Sequence, residues 1–203
     1  MVGRLSVKEI LKNQNKKIHA ETMELAVGLL SGEQAKRLRL LNDEIANLSR
    51  TIDSNDQRVD ECERALNPAA YYKRVDEKSE AARESIRALK KYYETKVSQT
   101  RQQRVPLLSE QKAIFDKAML ENPGFAFQAH ALAATRWAEY ALDNVPGEVE
   151  TVAVVREKAL RNMAGAAEEA EQLYMSAIKT SPDQREAITK RQINMRITIG
   201  KVR

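Results

Sequence analysis

The chain has 203 residues, of which seven are glycine and five proline, about half the usual combined share of roughly 12%. Aromatic residues are 5% of the total, and every one stands at or beyond Tyr71. A β-sandwich or a nucleotide-binding α/β domain needs more turns and more β-branched and aromatic residues. Both are excluded, and a net charge of +5 is far from a histone-like excess.

A single cysteine, Cys62, can close no internal disulfide, which points to a reducing compartment. The first residues carry no apolar run of the kind that makes a secretory leader, and no stretch approaches about 18 uninterrupted apolar residues. The expectation is a protein with no signal peptide and no membrane span, cytoplasmic or, if viral, inside the virion.

Ser6 and Glu9 form a capping box, in which each side chain satisfies a free backbone N–H of the other residue. A helix from about Val7 to Leu30 follows, and residues 1–31 are read as an N-terminal helical segment. Ser31, Gly32 and Gln34 then end one helix and cap the next.

No glycine occurs between Gly32 and Gly124. Within this span Leu38, Leu41, Ile45, Leu48, Ile52, Asn55, Val59, Cys62 and Leu66 advance in alternate steps of three and four residues. That is the apolar seam of a heptad repeat, with Asn55 as its one strongly polar member. After Asn67-Pro68 a second series runs through Tyr72, Val75, Ser79, Ala82, Ile86, Leu89 and Tyr93, then fades toward Val97 and Thr100. Asparagine is a good N-cap and proline suits the first helical position.

Residues 32–105 are therefore read as a long antiparallel coiled-coil hairpin. Its turn stands at 67–68 or, alternatively, at 53–56, where Asp53-Ser54-Asn55-Asp56 gathers poor helix formers. Residues 32–67 hold 6 basic against 8 acidic side chains, and 68–105 hold 10 against 5, so opposite charge favours the pairing.

Beyond Val105-Pro106 the composition changes. Seven of the sixteen residues from Ala126 to Ala141 are alanine, joined by Phe125, Phe127, Leu132, Trp137 and Tyr140. Small residues let helix axes approach closely, so residues 106–182 are read as a small Ala-rich helical bundle with helices near 107–121, 125–143 and 150–180. Pro123-Gly124 and Pro146-Gly147 mark its turns. Ser181-Pro182-Asp183-Gln184 caps a last segment, the basic tail 183–203. There Ile193-Asn194-Met195-Arg196-Ile197-Thr198-Ile199 alternates like a strand, while a continuing helix fits equally well. The fold class is all-α.

Chemistry is sparse. His19 and His130 lack the Glu-x-x-His partners of di-iron bundles, one cysteine cannot build a zinc site, and no glycine-rich phosphate loop is present. Glu168 and Glu171 share a helix face, but a solvated surface explains them, and Cys62 is placed as a packed thiol. No catalytic, cofactor-binding or metal-binding residue is assigned, and no cofactor is expected.

The expected function is that of a non-enzymatic structural or assembly protein, a homo-oligomer or a subunit of a larger complex such as a virion or secretion apparatus. Its association seam comprises Leu38, Leu41, Ile45, Leu48, Ile52, Val59, Leu66, Tyr72, Val75, Ile86, Leu89 and Tyr93. The alternatives are a helical adaptor for a peptide or protein partner and, less favoured, a nucleic-acid-associated protein. Candidate contacts for an anionic partner are Arg83, Arg87, Lys90 and Lys91, in the stripe over 83–104, and Lys190, Arg191, Arg196 and Lys201 in the tail.

Overall fold

The computed structural model describes residues 6–30, 32–67, 80–143 and 149–202. Among these it is all-α, with six α-helices and no strand: α1 Val7–Leu29, α2 Gly32–Leu66, α3 Glu80–Glu121, α4 Pro123–Leu142, α5 Val149–Thr180 and α6 Arg185–Gly200, the last preceded by a 3₁₀ turn at Pro182–Gln184. The chain divides into two units, one of residues up to 36 together with those from 114 onward, the other of residues 37–113.

In the first unit α4 is the hub, packed most extensively on α5 and then on α6 and α1. The alanines explain how. Ala126, Ala129, Ala131, Ala134, Ala138 and Ala141 are all buried, as are Ala159, Ala170 and Ala177 of α5, so the backbones of α4 and α5 close on each other with little side chain between them. Phe127 and Trp137 supply bulk to the same core, where Phe127 meets Tyr174. Asn122 caps α4, accepting the Phe125 N–H at 2.9 Å, with Pro123 at the position where no N–H is needed. Gly124 is required by proximity, since a Cβ there would stand 2.5 Å from Ser181 Oγ.

The helix α1 begins at the expected capping box, Ser6 N donating to Glu9 Oε2 at 2.8 Å and Glu9 N to Ser6 Oγ at 3.3 Å. It does not stand apart from the bundle. Ile10, Ile18, Met23 and Ala26 are buried, Ile18 joins the core of α4 and α5, and Glu21 reaches Arg136 at 2.5 Å. His19 and Phe125 both meet the ring of Phe115 edge to face.

The tail is helical. The α6 residues Ile188, Gln192, Met195 and Ile199, spaced four, three and four apart, are buried, whereas Ile193 and Ile197 are exposed. The period of the buried face is that of a helix, and the strand-like alternation over 193–199 has no structural counterpart. Ser181 and Gln184 make no side-chain cap.

The helix α2 is unbroken from 32 to 66, which excludes a turn at 53–56. The expected break at Pro106 is also absent, for α3 runs through it to residue 121. An interior proline costs about 3 kcal/mol. The partly buried Arg104 and Leu107 keep the three-and-four spacing on either side of it, so the same face of the helix is packed before and after the proline.

Candidate association surface

Three contacts fix how α2 and α3 pair within residues 37–113. Asn42 accepts from Gln111 Nε2 at 2.6 Å, Ser49 Oγ accepts from Arg104 Nη1 at 3.0 Å, and Glu63 meets Lys90 Nζ at 2.8 Å. As the α2 number rises by 7 and then 14, the α3 number falls by 7 and then 14. The helices are antiparallel, and all three pairs share one register. A turn at 67–68 would have set Leu48 opposite Leu89. Instead Ser49 meets Arg104, and Leu89 is 51% exposed. The segment 68–79, with Tyr72 and Val75, lies outside the described residues.

On α2 the seam residues Leu38, Leu41 and Ile52 are buried, and Ile45, Leu48, Val59 and Leu66 are half-buried. On α3 the inward residues are Ile86, Lys90, Tyr93, Val97, Thr100, Arg104, Leu107 and Gln111. Lys90 takes the place expected for Leu89, its side chain 27% exposed. Its four-carbon stem covers apolar surface while the ammonium reaches the flank. Where the apolar series fades, Val97 and Thr100 are among the most buried residues of the pair.

A polar ladder runs along one flank of the seam. Asn42, Ser49, Asp56 and Glu63 recur every seventh residue on α2, and each makes a contact to α3: Asp56 receives Arg101 Nη2 at 2.9 Å. On the other flank Arg37 holds Glu110 through two bonds of 2.6 and 2.7 Å. This bond holds the Glu110 carboxyl below its ordinary pKa and raises Arg37. Hydrogen bonding to Glu63 likewise raises Lys90. Of the α3 partners, Lys90, Arg104 and Gln111 stand at inward positions, where polar side chains lower stability relative to leucine but specify register.

The basic residues separate into two sets. Arg87 is paired with Glu80 at 2.9 Å, Lys90 with Glu63, and Arg196 with both oxygens of Glu171 at 2.8 Å. Arg83, Lys91, Lys190, Arg191 and Lys201 make no ion pair among the described residues. Glu171 also accepts from Gln192 at 3.0 Å, and its pKa is lowered chiefly by the Arg196 bond. It is therefore committed to the α5–α6 contact. Among the described residues no three His, Cys, Asp or Glu side chains converge to hold a metal ion, and no helix is long and apolar enough to cross a membrane. Cys62 is a half-buried free thiol.

No protein-family model, curated protein or solved structure matches the chain.

Two features escape a search for apolar periodicity. The ladder is one, although a seven-residue recurrence of Asn, Ser, Asp and Glu on α2 is its sequence signature. The other is Arg136 of α4, which lines a cleft together with Lys190 and Arg191 of α6. Nothing local in the sequence brings residues about 55 positions apart together.

Proposed function

We propose that the chain is a non-enzymatic helical structural protein that joins copies of itself, as in a larger assembly, through the outward faces of the 37–113 helix pair. The observation that carries this reading is that the pair fills its own seam and still exposes Leu40, Leu89, Tyr92, Val105 and Leu108. Association through the seam itself would require the two helices to part, so the outward residues are the better surface. Tyr92 is exposed apolar area with a polar edge, meeting the Tyr93 ring edge to face and with the Lys96 ammonium over its own ring, the composition that anchors protein interfaces.

Binding to nucleic acid is the weaker reading, because Arg87 and Lys90 already have carboxylate partners. Sedimentation equilibrium across a wide concentration range tests the proposal. The expected result is a mass above the 23.0 kDa of one chain, returning to one chain when Leu89 and Tyr92 are both replaced by Lys. A monomer at every concentration would overturn it.

A further inference from the structure

Between α4 and α6 of the first unit lies a half-open cleft of about 330 Å³, lined among others by Leu132, Arg136, Ala187, Lys190, Arg191 and Asn194. Its volume is at the lower end of the range for small-molecule sites. No carboxylate lines it.

The two guanidiniums differ in their partners. Arg136 is satisfied, donating to Glu21 at 2.5 Å and to Glu139 at 2.7 Å. Arg191 is half-buried and makes no hydrogen bond or ion pair through its side chain among the described residues. Burial, and then the nearby charge of Arg136, push its pKa down. An arginine in a protein does not release its proton, so the charge stays and is available to an anion. Counting Arg136, Lys190 and Arg191 against Glu21 and Glu139 leaves +1, the complement of a single negative charge. The planar guanidinium fork matches a carboxylate through two parallel hydrogen bonds, and Leu132 and Ala187 give the cleft an apolar wall.

We propose that this cleft is a binding site for a small organic carboxylate, the carboxylate held by Arg191 and Lys190 and the apolar body lying on Leu132 and Ala187. The proposal is independent of the association reading, since it concerns the bundle and not the 37–113 pair.

Titration of the full chain with benzoate, followed by the amide NMR signals of Thr135 and Asn194, tests it. Saturable shifts are expected with benzoate and none with benzamide, its neutral counterpart. Arg191→Gln should weaken benzoate at least about tenfold, a change of about 1.4 kcal/mol. Arg191→Lys should fall between, and Lys201→Gln, outside the cleft, should bind as the parent does. If far-UV circular dichroism shows that Arg191→Gln has lost helix, Lys190→Gln replaces it, with a several-fold weakening expected. The proposal fails if benzoate does not saturate, if it binds the Arg191→Gln protein undiminished, or if inorganic phosphate displaces it at lower concentration.

Discussion

The bundle and the 37–113 helix pair solve the same problem, the joining of long helices, with opposite materials. In the bundle α4 and α5 meet through alanines, with Phe127, Trp137, Ile188 and Met195 filling the space around them. Contact there is close and apolar, and specificity comes from shape. In the pair, Leu38, Leu41 and Ile52 share the seam with Lys90, Thr100, Arg104 and Gln111. Alignment there rests on Lys90, Arg104 and Gln111, which find Glu63, Ser49 and Asn42 across the pair. The difference teaches that a heptad pattern read from apolar residues alone finds the strip but not what aligns it.

The largest effect should come from the bundle. Phe127 is fully buried, and Phe127→Ala is expected to lower stability by about 3–5 kcal/mol, by loss of transfer free energy and creation of a cavity. Chemical denaturation followed by tryptophan fluorescence measures this directly, because Trp137 lies in the same core. A cost below about 1 kcal/mol would mean that the alanine contacts, and not the aromatic filling, hold the bundle.

The pair should respond in alignment more than in stability. In a Cys62→Ser background, cysteines at 49 and 104 should cross-link readily and those at 48 and 89 should not. Replacing Glu63 and Lys90 together by Leu removes one rung without stranding either partner. It is expected to raise the pair's resistance to denaturant while reducing the 49–104 cross-link yield. An unchanged yield would show that the remaining rungs suffice to align the helices.

The smallest effect is in the response to acid. Burial lowers the His130 pKa below its ordinary 6.5, against an opposing pull from Glu169. Its contribution to stability is therefore complete above pH 6.5. It is lost as the pH falls from 6.5 through the depressed folded value, since the unfolded chain takes up the proton first. Glu171, lowered below 4.5 by Arg196, loses its contribution only as the pH falls below 4.5. Denaturation midpoints at pH 7.5 and 5.5 separate the two, and His130→Gln should flatten that interval. An equal slope in the variant would assign the change to other groups.

Much of this was legible in the residues. The Ser6–Glu9 capping box, the absence of glycine from 33 to 123 and the spacing of Leu38, Leu41 and Ile52 need only local physics, a 3.6-residue period and the cost of glycine in a helix. The alanines of 126–141 announce close packing in the same way. Local rules misjudged Pro106, because whether a helix crosses a proline depends on the packing to either side. They favoured Leu89 over Lys90, because hydrophobicity says nothing of a lysine whose stem lies in the seam while its charge finds Glu63.

What the sequence determined by itself is therefore the helical class, the ends of α1 and the apolar strip of α2, each a matter of neighbours three or four residues apart. Only the tertiary structure decided the register of α2 on α3, the helical state of 193–199 and the meeting of Arg136 with Arg191. Each rests on contacts between residues far apart in the chain. The energy that selects among them arises only when the helices pack: burial of Met195 and Ile199, and partners for Gln111, Arg104 and Lys90.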